Sequence, residues 1–152
     1  MMIKSPSADD SFSLSAKLQY RDVRRFMSQL QWSVNRTATL IRAYASLVKM
    51  SPDEETALDL ERMLAEEKKY FALLEALYIE LKGTEPLVQP EPFIHNTYPD
   101  GLRQMIRWER ETIRQYRDTY LLTPSPKVRD LFFYGINDSA DHLVGLILLQ
   151  QL

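Results

Sequence analysis

The residues that could carry acid–base or metal chemistry in this sequence are almost all carboxylates. The chain of 152 residues contains two histidines, His95 and His142, and no cysteine. Without thiols it cannot form a disulfide framework, a thiolate zinc site, an iron–sulfur cluster or a cysteine nucleophile. A serine or zinc hydrolase would also lack histidines, so any metal or proton chemistry must depend mainly on Asp and Glu.

The elements that position these residues are predicted to be four helices. Side chains of four segments recur at alternating spacings of four and three residues, which indicates helical seams rather than strands. We predict an all-α four-helix bundle over residues 22–152, preceded by an N-terminal arm of residues 1–21. The seams are Val23, Met27, Leu30, Val34, Thr37, Ile41, Tyr44 and Val48; Leu60, Leu64, Glu67, Phe71, Leu74, Tyr78 and Leu81; Leu102, Ile106, Glu109, Ile113, Tyr116 and Tyr120; and Phe132, Ile136, Ser139, Leu143 and Leu146.

Turn residues separate the four segments. Ser51, Pro52 and Glu54 predict that the second helix begins with Ser51 as its N-cap. Gly83 predicts the end of that helix, and the Thr-Pro-Ser-Pro sequence at residues 123–126 predicts the start of the fourth.

The connection over residues 84–98 determines the topology. It contains three prolines and no helical period. An extended proline-rich chain advances about 3.1 Å per residue, so this segment reaches about 45 Å. A helix of about 30 residues has the same length. We therefore predict two helical hairpins joined by a long crossover, with the third helix parallel to the second.

The two halves of the sequence resemble each other at a shift of 72 residues. Each seam is interrupted once by a polar residue, and the shift pairs Thr37 with Glu109 and Glu67 with Ser139. Three residues after Glu67 and Ser139, it pairs Tyr70 with His142. This indicates an internal repeat of one helical hairpin that carries a single polar layer through all four helices. The six residues of this predicted layer are Thr37, Glu67, Tyr70, Glu109, Ser139 and His142.

This pattern resembles the ferritin-like superfamily, in particular small bacterial rubrerythrin-type di-iron carboxylate proteins. Their bundles place one Glu on the first and third helices and Glu-x-x-His on the second and fourth. The resemblance covers residues 27–150 and includes Glu66-Glu67-x-x-Tyr70, where the family often reads Asp-Glu-x-x-His. It implies a ferritin-like four-helix bundle.

The resemblance also implies six metal-ligand positions, of which this chain keeps half. Glu67, Glu109 and His142 match the family pattern. The positions of two further glutamates and one histidine hold Thr37, Ser139 and Tyr70, respectively. A complete di-iron site is therefore not expected, but two carboxylates and one histidine suit a single Fe(II) or Mn(II) ion.

Two functions follow from this degenerate site. In the first, which the loss of three ligands favours, the bundle is a non-catalytic structural or interaction protein. Protonated His142 then lies between Glu67 and Glu109, and hydroxyls of Thr37, Tyr70 and Ser139 complete a metal-free network. In the second, the protein is a mononuclear Fe- or Mn-binding oxidase or iron-handling protein. Tyr44 and Tyr116 are interpreted as core residues in either case.

A row of five arginines also follows the helical period of the third segment. The net charge of −2 supplies no field that would attract nucleic acid or an anionic membrane, and neither partner is expected. We instead expect ion pairs with acidic residues of the second helix, within the bundle or across a dimer. The arginine row comprises Arg103, Arg107, Arg110, Arg114 and Arg117.

The C-terminal run of residues 146–149 is apolar on all sides of a helix, which predicts a homodimer. Phe12 and Leu14 of the arm are candidate anchors for it. The apolar stretch of residues 143–149 is far shorter than the ~20 residues that cross a bilayer. The N-terminal sequence has no apolar signal region, so we expect a cytoplasmic protein.

Overall fold

Four α-helices and no strand form the part of the chain that the computed structural model describes, which is the backbone of residues 8–152 and the side-chain surroundings of residues 23–152. The helices are α1 (Ala8–Met50), α2 (Glu54–Lys82), α3 (Tyr98–Leu121) and α4 (Pro126–Gln150). The predicted all-α class is confirmed. Helix α1 begins at Ala8, before the predicted start near residue 22, and the side chains of Phe12 and Leu14 lie outside the described surroundings.

The helix ends are set by side-chain caps, one of which differs from the prediction. Asp53, not Ser51, is the N-cap of α2, and its carboxylate accepts a 2.7 Å hydrogen bond from the Thr56 amide. The Ser51 hydroxyl instead donates to the Val48 carbonyl at the end of α1. Gly83 ends α2 at φ 78°, as predicted, because a residue without Cβ adopts this left-handed conformation without strain.

The buried face of each helix is wider than the predicted seam. On α2, Leu60, Tyr70 and Leu74 are buried as expected, but Met63 and Leu77 are buried as well. Their predicted neighbours Leu64, Phe71 and Tyr78 are half-buried, and Leu81 is exposed. The apolar stripe of a globular helix is broader than a coiled-coil seam, so strict four–three spacing selected only one edge of it.

The crossover between α2 and α3 runs alongside α1. The Asn35 side chain accepts a 2.9 Å hydrogen bond from the Gln89 amide, and the Thr39 hydroxyl accepts one of 2.9 Å from the Glu91 amide. The crossover therefore runs parallel to α1. The chain is carried back along the bundle, and α3 starts antiparallel to α1 and parallel to α2, which confirms the predicted long crossover.

The order of the helices around the bundle places α2 and α3 on a diagonal. Helix α1 packs against α2 and α3, and α4 packs against the same two helices. The predicted ion pairs between the arginine row and α2 within one bundle are therefore wrong. All five arginines of the row are exposed, and among the ion pairs of residues 23–152 the row contributes only Arg103 with Asp100. Pairing across a dimer stays a prediction.

The core consists of two apolar clusters, one on each side of a polar level. One cluster surrounds Leu47, Leu60 and Leu146, and the other surrounds Leu30 and Phe132. The buried polar residues between them are Thr37, Glu67, Glu109, Ser139 and His142. Within the described residues, no helix combines the length and apolar character needed to cross a membrane.

Candidate metal centre

Glu67 of α2, Glu109 of α3 and His142 of α4 converge at the centre of the bundle. His142 Nδ1 lies 3.0 Å from Glu67 Oε2 and 3.2 Å from Glu109 Oε2. One ligand atom from each residue lies within 4.8 Å of the other two. His142 and Glu109 are 0% exposed and Glu67 is 4% exposed. We call these three residues the buried cluster; His95 lies away from it, on the crossover beside Phe93.

The second nitrogen of the His142 ring is held by Glu66, which precedes the cluster residue Glu67 in the chain. His142 Nε2 lies 2.8 Å from Glu66 Oε1. Donation of Nε2–H to this carboxylate orients the ring so that Nδ1 faces the other two acids. The sequence does not predict this contact, because helical spacing on α2 does not show that Glu66 reaches across to α4.

Tyr44 is the residue through which α1 contacts the buried cluster. Its hydroxyl donates a 2.6 Å hydrogen bond to Glu109 Oε2, and its ring packs edge-on against His142 with centroids 5.6 Å apart. The interpretation of Tyr44 as core packing is therefore incomplete. A signal was present, since a buried tyrosine needs a hydrogen-bond partner and Tyr44 lies near the predicted polar residues.

The other three residues of the predicted layer are buried but do not complete a hydroxyl network around the carboxylates. The Thr37 hydroxyl bonds to the Ser33 carbonyl and, at 3.0 Å, to the Tyr116 hydroxyl. The Tyr70 hydroxyl donates to the Leu131 carbonyl at 3.0 Å. Tyrosine is longer than histidine, so its hydroxyl passes beyond the level of the carboxylates. Ser139 is 2% exposed on α4.

Burial and neighbouring charges set the protonation of the buried cluster. Burial alone lowers the pKa of His142, but its hydrogen bonds to Glu109 and Glu67 outweigh this and raise the pKa to about 11. Burial and the negative charge of Glu109 raise the pKa of Glu67 to about 7, although His142 acts in the opposite direction. Burial also raises the pKa of the Tyr44 hydroxyl. At neutral pH His142 is therefore a cation between acidic groups.

The donor set fits one metal ion and does not fit two. Glu109 Oε1 is buried and has no hydrogen-bond partner among the described residues, which leaves one acceptor of the buried cluster available. His142 offers Nδ1 while Glu66 holds Nε2, the arrangement in which a second carboxylate orients a histidine ligand. A second ion would find Thr37, Tyr70 and Ser139 at the remaining positions, and two of these hydroxyls are bonded elsewhere.

Comparison with known proteins supports the fold. No protein-family model matches this sequence, and no curated protein is significantly similar to it. A hypothetical protein from Pyrococcus furiosus is 18% identical, with a TM-score of 0.75 over 84% of this chain and 89% of that chain. A conserved hypothetical protein from Mycobacterium tuberculosis is 12% identical, with a TM-score of 0.75 over 86% and 93% of the two chains.

A further solved structure carries a functional description. This structure is of a protein from Bacillus anthracis that is described as a ferritin-like di-iron carboxylate protein. It is 18% identical to this chain, with a TM-score of 0.73 over 85% of this chain and 97% of that chain. At these identities the likeness shows the fold alone. The chain has a ferritin-like fold, and its buried Glu–Glu–His cluster fits a metal-binding bundle.

Proposed function

We propose that this protein binds a single Fe(II) or Mn(II) ion at Glu67, Glu109 and His142. The observation that carries the proposal is the convergence of two carboxylates and one imidazole nitrogen at the buried centre, with Glu109 Oε1 left without a partner. Two carboxylates and one histidine form a ligand set that suits these ions. The Bacillus anthracis protein with a similar fold is described as a di-iron carboxylate protein, which supports a metal site in a bundle of this kind.

Five residues of this chain would bind the ion or hold its ligands in position. Glu67 and Glu109 would balance the charge of the ion, and His142 would bind through Nδ1 after giving up a proton. Glu66 would hold the ring through Nε2, and Tyr44 would keep Glu109 in place through its hydroxyl. Bound iron or manganese supplies Lewis acidity and one-electron redox chemistry. This corresponds to an oxidase or an iron-handling protein.

A second candidate is a metal-free polar layer in a non-catalytic structural or interaction protein. The observation in its favour is that His142 Nδ1 already lies within hydrogen-bond distance of both Glu67 and Glu109. A protonated His142 would then satisfy the two acids without an ion, and the layer would fix the register of the helices.

Metal content separates the two candidates. Protein purified without a histidine tag is expected to carry about one Fe or Mn per chain by elemental analysis, or to take up one on titration. Glu109→Ala should abolish this stoichiometry because it removes the buried ligand, whereas Glu61→Ala, at an exposed position of α2, should leave it unchanged. Wild-type protein that neither contains nor takes up a stoichiometric ion would favour the metal-free layer.

A further inference from the structure

The buried cluster is closed to solvent, so an ion needs a path through the bundle wall. Its three residues are at most 4% exposed. Of the side chains bonded to the buried cluster, Tyr44 is completely buried, whereas Glu66 is 34% exposed. Glu66 therefore connects the buried cluster to the surface, at the junction between α2 and α4.

At the junction between α2 and α4, side chains rather than closely packed backbones fill the space. Helices α2 and α4 approach each other least closely of the four neighbouring helix pairs. Large side chains of α2 fill the gap at two levels, where Met63 lies over Gly145 and Tyr70 lies over Gly135. The level between them is polar, and Glu66 of α2 meets His142 of α4 there.

Acidic groups line this level from the surface inward. Asp141 is 66% exposed and Glu66 is 34% exposed. Asp138 is half-buried, and its Oδ2 atom is buried without a hydrogen-bond partner among the described residues. We call Asp141, Asp138 and Glu66 the acidic opening. Asp138 Oδ2 at the acidic opening and Glu109 Oε1 in the buried cluster are both buried acceptors without a hydrogen-bond partner among the described residues.

One positive side chain closes the acidic opening. Arg62 Nη1 lies 3.0 Å from Glu66 Oε1 and 3.5 Å from Asp141 Oδ2, so it bridges the two helices. The same Glu66 oxygen accepts the hydrogen bond from His142 Nε2. Arg62 thus holds Glu66 against the histidine and places a positive charge in the path of an incoming cation.

We propose that the acidic opening between α2 and α4 is the uptake route for a divalent cation and that Arg62 is its gate. The inference rests on the proposed metal binding and adds how the ion reaches the site. Arg62 touches neither Glu67 nor Glu109 in these ion pairs, so it should control the rate of uptake rather than the number of ions bound.

Stopped-flow absorption with Co(II) as the probe tests the gate, because Co(II) reports its own coordination through its visible bands. Arg62→Gln should raise the association rate by roughly threefold or more, since it removes both the bridge and the repelling charge. The final stoichiometry should stay at one ion per chain. Arg62→Lys should return the rate toward that of the wild type, because it keeps the charge.

Lys68→Gln is the matched control, because it removes one positive charge from an exposed position of α2 outside the Arg62 bridge. It should leave the rate unchanged. An Arg62→Gln rate equal to or below that of Lys68→Gln would overturn the gate while leaving the metal site intact, and so would an equally fast Arg62→Lys variant. Wild-type protein that binds no Co(II) at equilibrium would overturn the site and the route together.

Discussion

His142 is the central residue of the buried cluster. Each of its ring nitrogens faces carboxylate oxygen, Nδ1 toward Glu67 and Glu109 and Nε2 toward Glu66. An imidazole buried among apolar groups would be neutral, but these acids hold it as a cation. A metal ion must therefore compete with a proton for Nδ1.

This competition predicts the direction of the pH dependence of metal binding. The pKa of His142 is about 11, so an ion that binds at neutral pH must displace one proton. The apparent association constant should rise about tenfold per pH unit between pH 7 and pH 9. Below pH 7 the rise should be steeper, because Glu67, with a pKa of about 7, also carries a proton there.

Calorimetric titration with Mn(II) in two buffers of different ionisation enthalpy measures both the affinity and the number of protons released. The Lys68→Gln variant is a suitable control for a general charge effect. An affinity that does not change between pH 7 and pH 9 would contradict a site in which His142 Nδ1 is a ligand.

The sequence predicted the three cluster residues but not the side chains that support them. Glu67, Glu109 and His142 follow from the repeat and from the ferritin-like spacing, and the structure brings them together. Glu66 contacts His142 of α4 and Tyr44 contacts Glu109 of α3, and both contacts depend on how the helices are rotated. Seam spacing determines that rotation only to within about one residue position, as the burial of Met63 and Leu77 on α2 demonstrates.

At the level of the elements, the contact between α2 and α4 depends on a glycine. A Cβ atom at Gly135 would lie 2.6 Å from Tyr70 Cζ and 3.0 Å from Tyr116 Cδ2. The Tyr70 hydroxyl passes over this glycine to reach the Leu131 carbonyl on α4. Tyrosine at this position of α2 therefore requires the absence of a side chain on the facing turn of α4.

Gly135→Ala is predicted to destabilise the protein by about 1–3 kcal/mol, because two buried aromatic rings would have to move. Gly145→Ala is the matched control within the same helix. Its Cβ would meet only the flexible end of Met63, and alanine favours a helix over glycine by about 1 kcal/mol. Urea unfolding followed by circular dichroism measures both. Equal stability of the two variants would show that Tyr70 can leave its position at no cost.

The number of helices was predictable from the four seams and the turn residues between them, and the crossover was predictable from the length of the proline-rich connection. The exact ends of the helices were less predictable. Both Ser51 and Asp53 can cap a helix, and the choice depends on which side chain reaches the first free amide, here that of Thr56. The order of helices around the bundle was also not predictable from the sequence, so the ion pairs expected between the arginine row and α2 within one bundle were wrong.

At the level of the whole molecule, part of the outer face of α4 is exposed among the described residues. Leu146 and Leu149 are buried as core residues, whereas Phe133, Val144 and Leu148 are more than half exposed. From Phe133 to the C-terminus the charged groups besides His142 are Asp138 and Asp141, at the acidic opening. Phe133, Val144 and Leu148 therefore form an apolar stripe on the outer face of α4, and the exposed Asp141 lies beside this stripe.

We predict a homodimer that buries Phe133, Val144 and Leu148. Light scattering coupled to size exclusion at micromolar concentration should give about twice the chain mass of 17.8 kDa. Val144→Glu should shift the protein to the single-chain mass, since it places a carboxylate in the apolar contact. Leu58→Glu, at an exposed position of α2, should not. A single-chain mass for the wild type would contradict the dimer.

The long crossover also determines when the site comes into existence during folding. Each hairpin can form from neighbouring segments, but Glu67 belongs to the first hairpin, while Glu109 and His142 belong to the second. The buried cluster is therefore absent until the two hairpins dock, a step that must close the crossover and join distant parts of the chain. A ligand of this cluster stabilises only the docked state, so it should slow global unfolding more than the fraying of either hairpin.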